Sequence, residues 1–398
     1  MIDWKIEKIG DNFLVTDYVA NGSFASLSEN VTYINTPDYA ILVRTTDNTK
    51  KWNGNYVYVS KNSFDFLKKS SLLLDDLIIA NVGDPGKAFL CPDLGQPMTL
   101  GPNSILVRPL DKNKIMNKYF YYYTTSKTGQ RQIQDICSAT AQKKFNKTSY
   151  RSLEIPLPPF LQQQKIANIL DAADELRQND KALIAKYDEL TSALFLDMFG
   201  DPVSNPKGWE KVKFDKVGKL DRGKSKHRPR NAPELLGGIY PLIQTGDIAN
   251  SGGYITEYKS TYSEFGLAQS RLWKSGTLCI TIAANIAKTG ILTFDACFPD
   301  SVVGFIPNGK TNNIYTQCWM SFLQKIIEDA APESAQKNIN LAILKDLNFP
   351  LPPMNLQNQF AERVALIEEQ KAIAQASLIK SEELFNSLLQ KAFKGELV

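Results

Sequence analysis

The sequence holds a single histidine, His227, and five cysteines at 91, 137, 279, 297 and 318 that never form a Cys-x-x-Cys pair. One imidazole cannot build a histidine-rich metal site and leaves little room for Ser-His-Asp catalysis. Scattered cysteines of odd number argue for a reducing compartment, against a disulfide framework and against a thiolate zinc site. No apolar run approaches the ~18–20 residues of a membrane span, so an integral helical membrane protein is excluded. The opening Met1-Ile2-Asp3-Trp4-Lys5 has no basic segment followed by an apolar one, and a cytoplasmic protein is expected. Also missing are an Asp/Asn-Pro-Pro-Tyr type catalytic motif, a glycine-rich dinucleotide fingerprint after a strand, and a paired acidic-and-lysine nuclease signature. Covalent chemistry has no evident seat in this chain.

What is present is ordinary in bulk. The 398 residues suggest two or three domains, and 43% hydrophobic with 22% charged residues suits a globular protein. The net charge of +4 hints only weakly at a nucleic-acid partner.

The strongest signal is internal repetition. Residues 140–199 align without a gap to 334–393 at a constant offset of 194, with about 18 identities in 60. Ala141-Gln142-Lys143 recurs as Ala335-Gln336-Lys337, and Pro156-Leu157-Pro158-Pro159 as Pro350-Leu351-Pro352-Pro353. Gln163 recurs as Gln357, Leu194 as Leu388 and Phe199 as Phe393. Upstream of each copy the two halves diverge, with weak anchors such as Thr45-Thr46-Asp47 over Thr245-Gly246-Asp247. The layout is a variable module followed by a shared segment, twice.

Each shared segment reads as a long helix begun by prolines, which suit a first turn but not a helix interior. From Leu161 to about Phe199 there is no Pro or Gly. Ile169, Leu176, Leu183 and Leu190 recur every seven residues, with Ile166, Ala173, Tyr187 and Leu194 as companions. That pattern predicts a coiled-coil seam, broken at Asp180. Val364, Ile367, Ala374, Leu378, Phe385 and Leu388 form the matching stripe of the second copy. Two such helices in one chain are expected to pair with each other.

The variable modules read as β-rich with some helix. Strands are expected at Tyr39–Val43, Tyr56–Ser60, Leu77–Ala80 and Ile105–Val107, and at Tyr240–Ile243, Thr277–Ile282, Gly290–Phe294 and Val302–Ile306. Helices are expected over Asn117–Ser126 and Tyr315–Asp329.

Gly218-Lys219-Leu220-Asp221-Arg222-Gly223-Lys224-Ser225 satisfies the P-loop pattern, but Pro229 and Pro233 stand where its helix should run. The stretch reads better by charge. Arg222, Lys224, Lys226, Arg228 and Arg230 alternate along one loop and suit phosphate contacts. Gln142-Lys143-Lys144 and Gln336-Lys337-Asn338 are polar segments just before the two proline starts, of a kind that pairs with base edges or phosphates. Arg44-Thr45-Thr46 and Gln244-Thr245 each follow a strand, where loops expose side chains. Lys87 and Lys288 sit in glycine-containing turns whose backbone can approach a phosphate.

Together these features resemble the specificity (S) subunit of type I restriction–modification systems. The resemblance rests on the paired Ala-Gln-Lys and Pro-Leu-Pro-Pro segments, the long helices, and the bridge from Leu196-Asp197-Met198-Phe199-Gly200-Asp201-Pro202 to Trp209. Tyr240 to Ile248 is similar to a recurrent segment of that family's target recognition domains. The resemblance implies an α+β chain in which two β-rich recognition domains are separated by two long antiparallel helices in a pseudo-twofold repeat. Its expected divisions are recognition domain 1 at 1–155, a central helix at 156–200, recognition domain 2 at 201–349 and a distal helix at 350–398. It further implies that each recognition domain reads half of a bipartite site in double-stranded DNA. The helices would set the spacing and dock two modification (methyltransferase) subunits, which restriction subunits then join. S-adenosylmethionine, ATP and magnesium would belong to those partners, and this chain would be non-catalytic with no membrane association. Two alternatives stay open: a free-standing DNA-binding regulator, and a P-loop enzyme using Lys224 and Ser225.

Overall fold

The computed structural model describes residues 4–139, 142–283, 285–330 and 339–397. It divides into two compact units, residues 1–181 with 376–398, and residues 182–375. Both boundaries fall inside the long helices, Phe160–Phe199 and Met354–Lys394.

Each unit is built on the same plan of three sheets. In the first unit, Phe13–Asp17, Ser104–Pro109, Leu77–Ala80 and Ala88–Leu90 form an antiparallel sheet in that order. A second sheet runs Val57–Val59, Ala40–Val43, Met98–Leu100, Ser71–Leu72, with its central pair parallel. The second unit repeats this with Gly218–Arg222, Val302–Pro307, Leu278–Thr281 and Thr289–Leu292, adding Tyr254–Ile255 as a parallel edge. Its other sheet runs Ser260–Tyr262, Leu236–Leu242, Ala296–Cys297, Leu272–Trp273. A short antiparallel pair closes each unit: Lys5–Lys8 with Glu154–Leu157, and Lys211–Lys213 with Asn348–Pro350. Pro156 and Pro350 sit in these two-stranded pairs, where the missing N–H is tolerated, and Pro158-Pro159 and Pro352-Pro353 follow immediately before the long helices.

The central strands Leu77–Ala80 and Leu278–Thr281 are buried on both faces, so they read as unbroken apolar runs. The expected helices form at Asn117–Thr125 and Asn313–Ala330. Both long helices end on a left-handed glycine, Gly200 at φ 77° and Gly395 at φ 72°. At the first, the Trp209 indole Nε1 donates to Phe199 O at 2.8 Å, and Lys207 Nζ to Met198 O at 3.0 Å, satisfying terminal carbonyls.

The seam differs from the expected one. The residues facing inward are Ile166, Leu170, Ala173, Arg177, Asp180, Ile184, Tyr187 and Thr191, one position away from the Ile169-Leu176-Leu183-Leu190 series. Leu176, Leu183 and Leu190 are 54%, 41% and 48% exposed, while Ile169 and Leu194 are half-buried. The reason is that the middle of the seam is polar but paired. In the first unit Arg177 stacks on Phe385 at 4.2 Å, Ser381 Oγ donates to Asp180 at 2.8 Å, and Lys181 pairs with Glu382 at 3.1 Å. In the second, Lys371 Nζ lies 2.6 Å from Asp188. Long cationic side chains bury their stems while their charges find partners, so leucine content alone misplaces the register. On the second helix Val364, Ala374 and Phe385 are buried and Ile367, Leu378 and Leu388 half-buried, all on the inward face.

The helix ends complete the cores. Ile166, Leu170 and Ala173 join Phe385, Leu389 and Ala392 around Tyr119, Phe120 and Tyr150 in the first unit. Phe195, Met198 and Phe199 join Phe360 and Val364 around Phe214, Phe305 and Trp319 in the second.

Candidate nucleic-acid interface

Three polar segments come together on the first unit. The expectation that Arg44, Thr45 and Thr46 lie in an open loop is corrected: Thr45–Thr49 is a short helix. Asp47, buried at its third position, accepts from Arg44 N at 2.8 Å and so satisfies a backbone donor at the helix start. The same carboxylate takes Arg44 Nη2 at 2.6 Å and Nε at 3.2 Å, while Nη2 also donates to Asn55 O at 3.2 Å. Asp47 thereby fixes the guanidinium and raises its pKa. Lys87 Nζ reaches the far end of this helix, donating to Thr49 Oγ1 at 2.9 Å. Behind Lys87, the turn of residues 81–86 holds the third segment, because Phe145 N donates to Asn81 O at 3.1 Å and Val82 bridges Lys144. Gln142, Lys143 and Lys144 are exposed there.

The second unit repeats the backbone frame of this arrangement. Thr245–Ala249 is a short helix, again not an open loop, and Gln244 N donates to Asp247 at 2.9 Å. The hairpin turns match as well: Ala80 N donates to Lys87 O and Thr281 N to Lys288 O, both at 2.9 Å. Lys87 and Lys288 are thus equivalent positions, each preceded by a left-handed residue, Gly86 or Ala287. Ile339 N donates to Ile282 O at 3.0 Å, as Phe145 does to Asn81. Gln336, Lys337 and Asn338, the counterparts of Gln142, Lys143 and Lys144, lie outside the described residues. The N-cap side chain differs between the units: a clamped arginine at 44, a neutral exposed glutamine at 244.

The basic strip lies on the second unit only. Arg222 ends the strand Gly218–Arg222, which pairs antiparallel with Val302–Pro307. The first five residues of the P-loop pattern are therefore β-strand, and a Cβ at Gly218 would meet Phe305 at 2.3 Å. That leaves no phosphate cradle. Arg230, Gln244 and Thr245 line one pocket of about 380 Å³ with Ser225, Asn231, Tyr262 and Ser301. Lys288 lines a different pocket with Gly253 and Gln317. Lys224 and Lys226 are exposed and have no ion-pair partner among the described residues.

Asn231, Ser301 and Asp300 were not marked by the sequence, since nothing there places residue 300 beside residue 230. Arg230 Nη2 stands 2.7 Å from Asp300 Oδ1. Among the described residues no group of three His, Cys, Asp or Glu side chains could hold a metal, and no helix is long and apolar enough to cross a membrane. Burial pushes the Cys91 and Cys318 thiols up to about 12, far from a reactive range.

Comparison with known proteins agrees with this duplicated plan. The family model described as the type I restriction modification DNA specificity domain matches twice, over residues 1–186 and 206–380. The putative type I restriction enzyme MjaX specificity subunit of Methanocaldococcus jannaschii is 23% identical over 390 residues, covering 92% of this chain and 87% of that protein. The type I restriction enzyme EcoBI specificity subunit of Escherichia coli is 22% identical over 358 residues, covering 81% and 74%. In fold, the chain is similar to the crystal structure of a type I restriction–modification S subunit from M. genitalium. The TM-score is 0.57 at 17% identity, covering 98% of this chain and 96% of that one. A chain from a type I system solved for its complex assembly and conformational transition gives a TM-score of 0.58 at 16% identity, covering 100% and 99%. Two matched domains spanning most of the sequence, each built on the same plan of sheets, place this chain in the type I restriction–modification DNA-specificity family.

Proposed function

We propose that this chain is the DNA-reading subunit of a type I restriction–modification complex and leaves catalysis to its partners. Each unit reads one half of a bipartite site in double-stranded DNA. The long helices set the distance between half-sites and dock two modification (methyltransferase) subunits, which restriction subunits join. S-adenosylmethionine, ATP and magnesium are held by those partners.

The observation that carries this reading is the polar surface built twice on an equivalent frame with different side chains. Lys87 and Lys288 occupy one position, Arg44 and Gln244 another. A common cation suits phosphate, which positions a protein on DNA, whereas Arg against Gln changes which base edge is read. The exposed Leu176, Leu183 and Leu190 favour a chain that works with protein partners over a free-standing regulator. The strand at Gly218–Arg222 speaks against the P-loop enzyme.

The test is a module exchange. Residues 1–155 are replaced by the corresponding module of another specificity subunit, and the methylated motif is read by sequencing cells that carry the complete system. One half-site should change and the other persist. A change in both halves would overturn independent reading.

A further inference from the structure

Three arginines of the second unit converge on Asp300. Arg230 Nη2 lies 2.7 Å from its Oδ1 and Arg228 Nη2 3.9 Å from its Oδ2. Arg222 Nε donates to its main-chain carbonyl at 2.9 Å. Asp300 belongs to the turn between Ala296–Cys297 and Val302–Pro307, and that turn is locked to the basic loop. Gly223 N donates to Val302 O at 2.8 Å, and a Cβ at Gly223 would meet Phe298 O and Pro299 O at 2.3 Å. The carboxylate is therefore held against the guanidinium groups by backbone packing.

The arginines have other anchors too. Arg228 Nη1 donates to Ser225 O at 2.6 Å and His227 O at 2.8 Å. The Arg228, Arg230 and Asp300 side chains are 56%, 49% and 35% exposed, so these ion pairs add little to stability. What they do is fix where two guanidinium groups stand and cancel part of the loop's charge. A carboxylate between guanidinium groups occupies the place that a phosphate takes in arginine–phosphate recognition. Arg230 also lines the pocket that holds Gln244, Thr245 and Asn231.

We propose that Asp300 is a built-in competitor for DNA phosphate: in the free protein it occupies Arg228 and Arg230, the latter at the Gln244 pocket, and it must yield them for a backbone phosphate to bind. This rests on the reading of the second unit as a DNA-recognition module. Once the phosphate is seated, the displaced carboxylate remains close and repels it. That repulsion acts on every complex seated on the backbone, with or without matching base contacts. Asp300 thus lowers the phosphate-driven part of the affinity.

The experiment uses the assembled methyltransferase with the full-length chain. Its affinity is measured across a salt series for a duplex carrying its methylated motif and for a duplex of equal length without it. D300N should bind both more tightly at low salt, by about three- to tenfold for the duplex without the motif, the scale of one charge at contact distance in water. The gain should be of similar size for the motif duplex, the log–log salt slope should steepen by up to ~0.9, and D300E should restore the original behaviour. D300S gives the same readout should D300N fail to fold. Unchanged or weaker binding by D300N overturns the proposal. The K224A/K226A variant separates the two levels. If it weakens binding while D300N changes nothing, only the role of Asp300 is wrong. If neither moves DNA binding, the reading of this loop as a DNA contact is wrong, and the proposal falls with it.

Discussion

Gln163 and Gln357, one at the head of each long helix, share three equivalent hydrogen bonds, to which Gln357 adds one accepted from Thr311 Oγ1 at 2.8 Å. Gln163 Nε2 donates to Lys114 O at 3.0 Å and Pro158 O at 2.9 Å, and its Oε1 accepts from Met116 N at 3.0 Å. Gln357 Nε2 donates to Lys310 O at 3.2 Å and Pro352 O at 2.9 Å, and its Oε1 accepts from Asn312 N at 3.3 Å. Each carboxamide ties the proline turn, the helix start and the module together. Gln163→Leu and Gln357→Leu keep the volume but each takes a partner from one backbone amide and two carbonyls, and the second also from the Thr311 hydroxyl. Each should cost about 1–3 kcal/mol or more, read as a lower urea midpoint with an unchanged m-value. A cost under ~0.5 kcal/mol in either unit would show that these bonds do not hold the junction.

The outward leucines are expected to matter to a partner and not to the fold. Leu183→Glu with Leu190→Glu places charge at solvent-facing positions, so stability should change by no more than ~0.5 kcal/mol per site. Co-purification of the methyltransferase subunits should be lost. Full recovery of the complex would assign their docking to another face.

Helix length is expected to set the spacer. In the second unit Asp188 faces Lys371, and Phe195 and Phe360 meet at 5.6 Å, so Ile184 and Ala374 fall at nearly opposite layers. Seven residues inserted after each preserve the heptad phase and add ~10 Å of helix. The spacer between half-sites should then lengthen by up to about three base pairs, less if the DNA bends. Four residues added to one helix alone should abolish methylation. A double-heptad variant that methylates the original spacing would refute the ruler.

Acid should loosen the first unit at a defined carboxylate. Hydrogen bonds from Lys5 and then Lys114 pull the Glu7 carboxyl from its ordinary 4.5 down to about 2. A depressed value means the folded state releases the proton more readily than the unfolded chain. The stabilisation is therefore fully present above pH ~4.5 and is lost as pH falls towards 2. Glu7→Gln should flatten that part of the stability–pH curve and lower stability at neutral pH. Superimposable curves for the two proteins would remove Glu7 from the account.

Much of this architecture is legible in the sequence because it is local or repeated. The offset of 194 reveals the duplication, freedom from Pro and Gly reveals the long helices, and apolar runs such as Leu77–Ala80 reveal buried strands. What escaped depends on partners far along the chain. Leu176 scores as core, yet Arg177 takes the inward position because Phe385 offers a ring to stack on. Thr45-Thr46-Asp47 looks like loop chemistry until Asp47 is seen accepting from Arg44 N. Asp300 gains its place only when Gly223 packs its turn against the basic strip.

The division inside both helices also orders events in time. The first unit needs residues 376–398, whose Phe385, Leu389 and Ala392 fill its core, whereas the second unit is continuous from 182 to 375. A ribosome adding about 5–20 residues per second takes roughly 10–40 s to travel from residue 181 to residue 376. Through that interval the module begun first waits with Ile166, Leu170 and Tyr119 uncovered, and its neighbour has received every segment it requires before residue 376 is added. The unit that leads in synthesis is thus the last to close, and its exposed apolar face is where nascent chains are most open to chaperones and to one another.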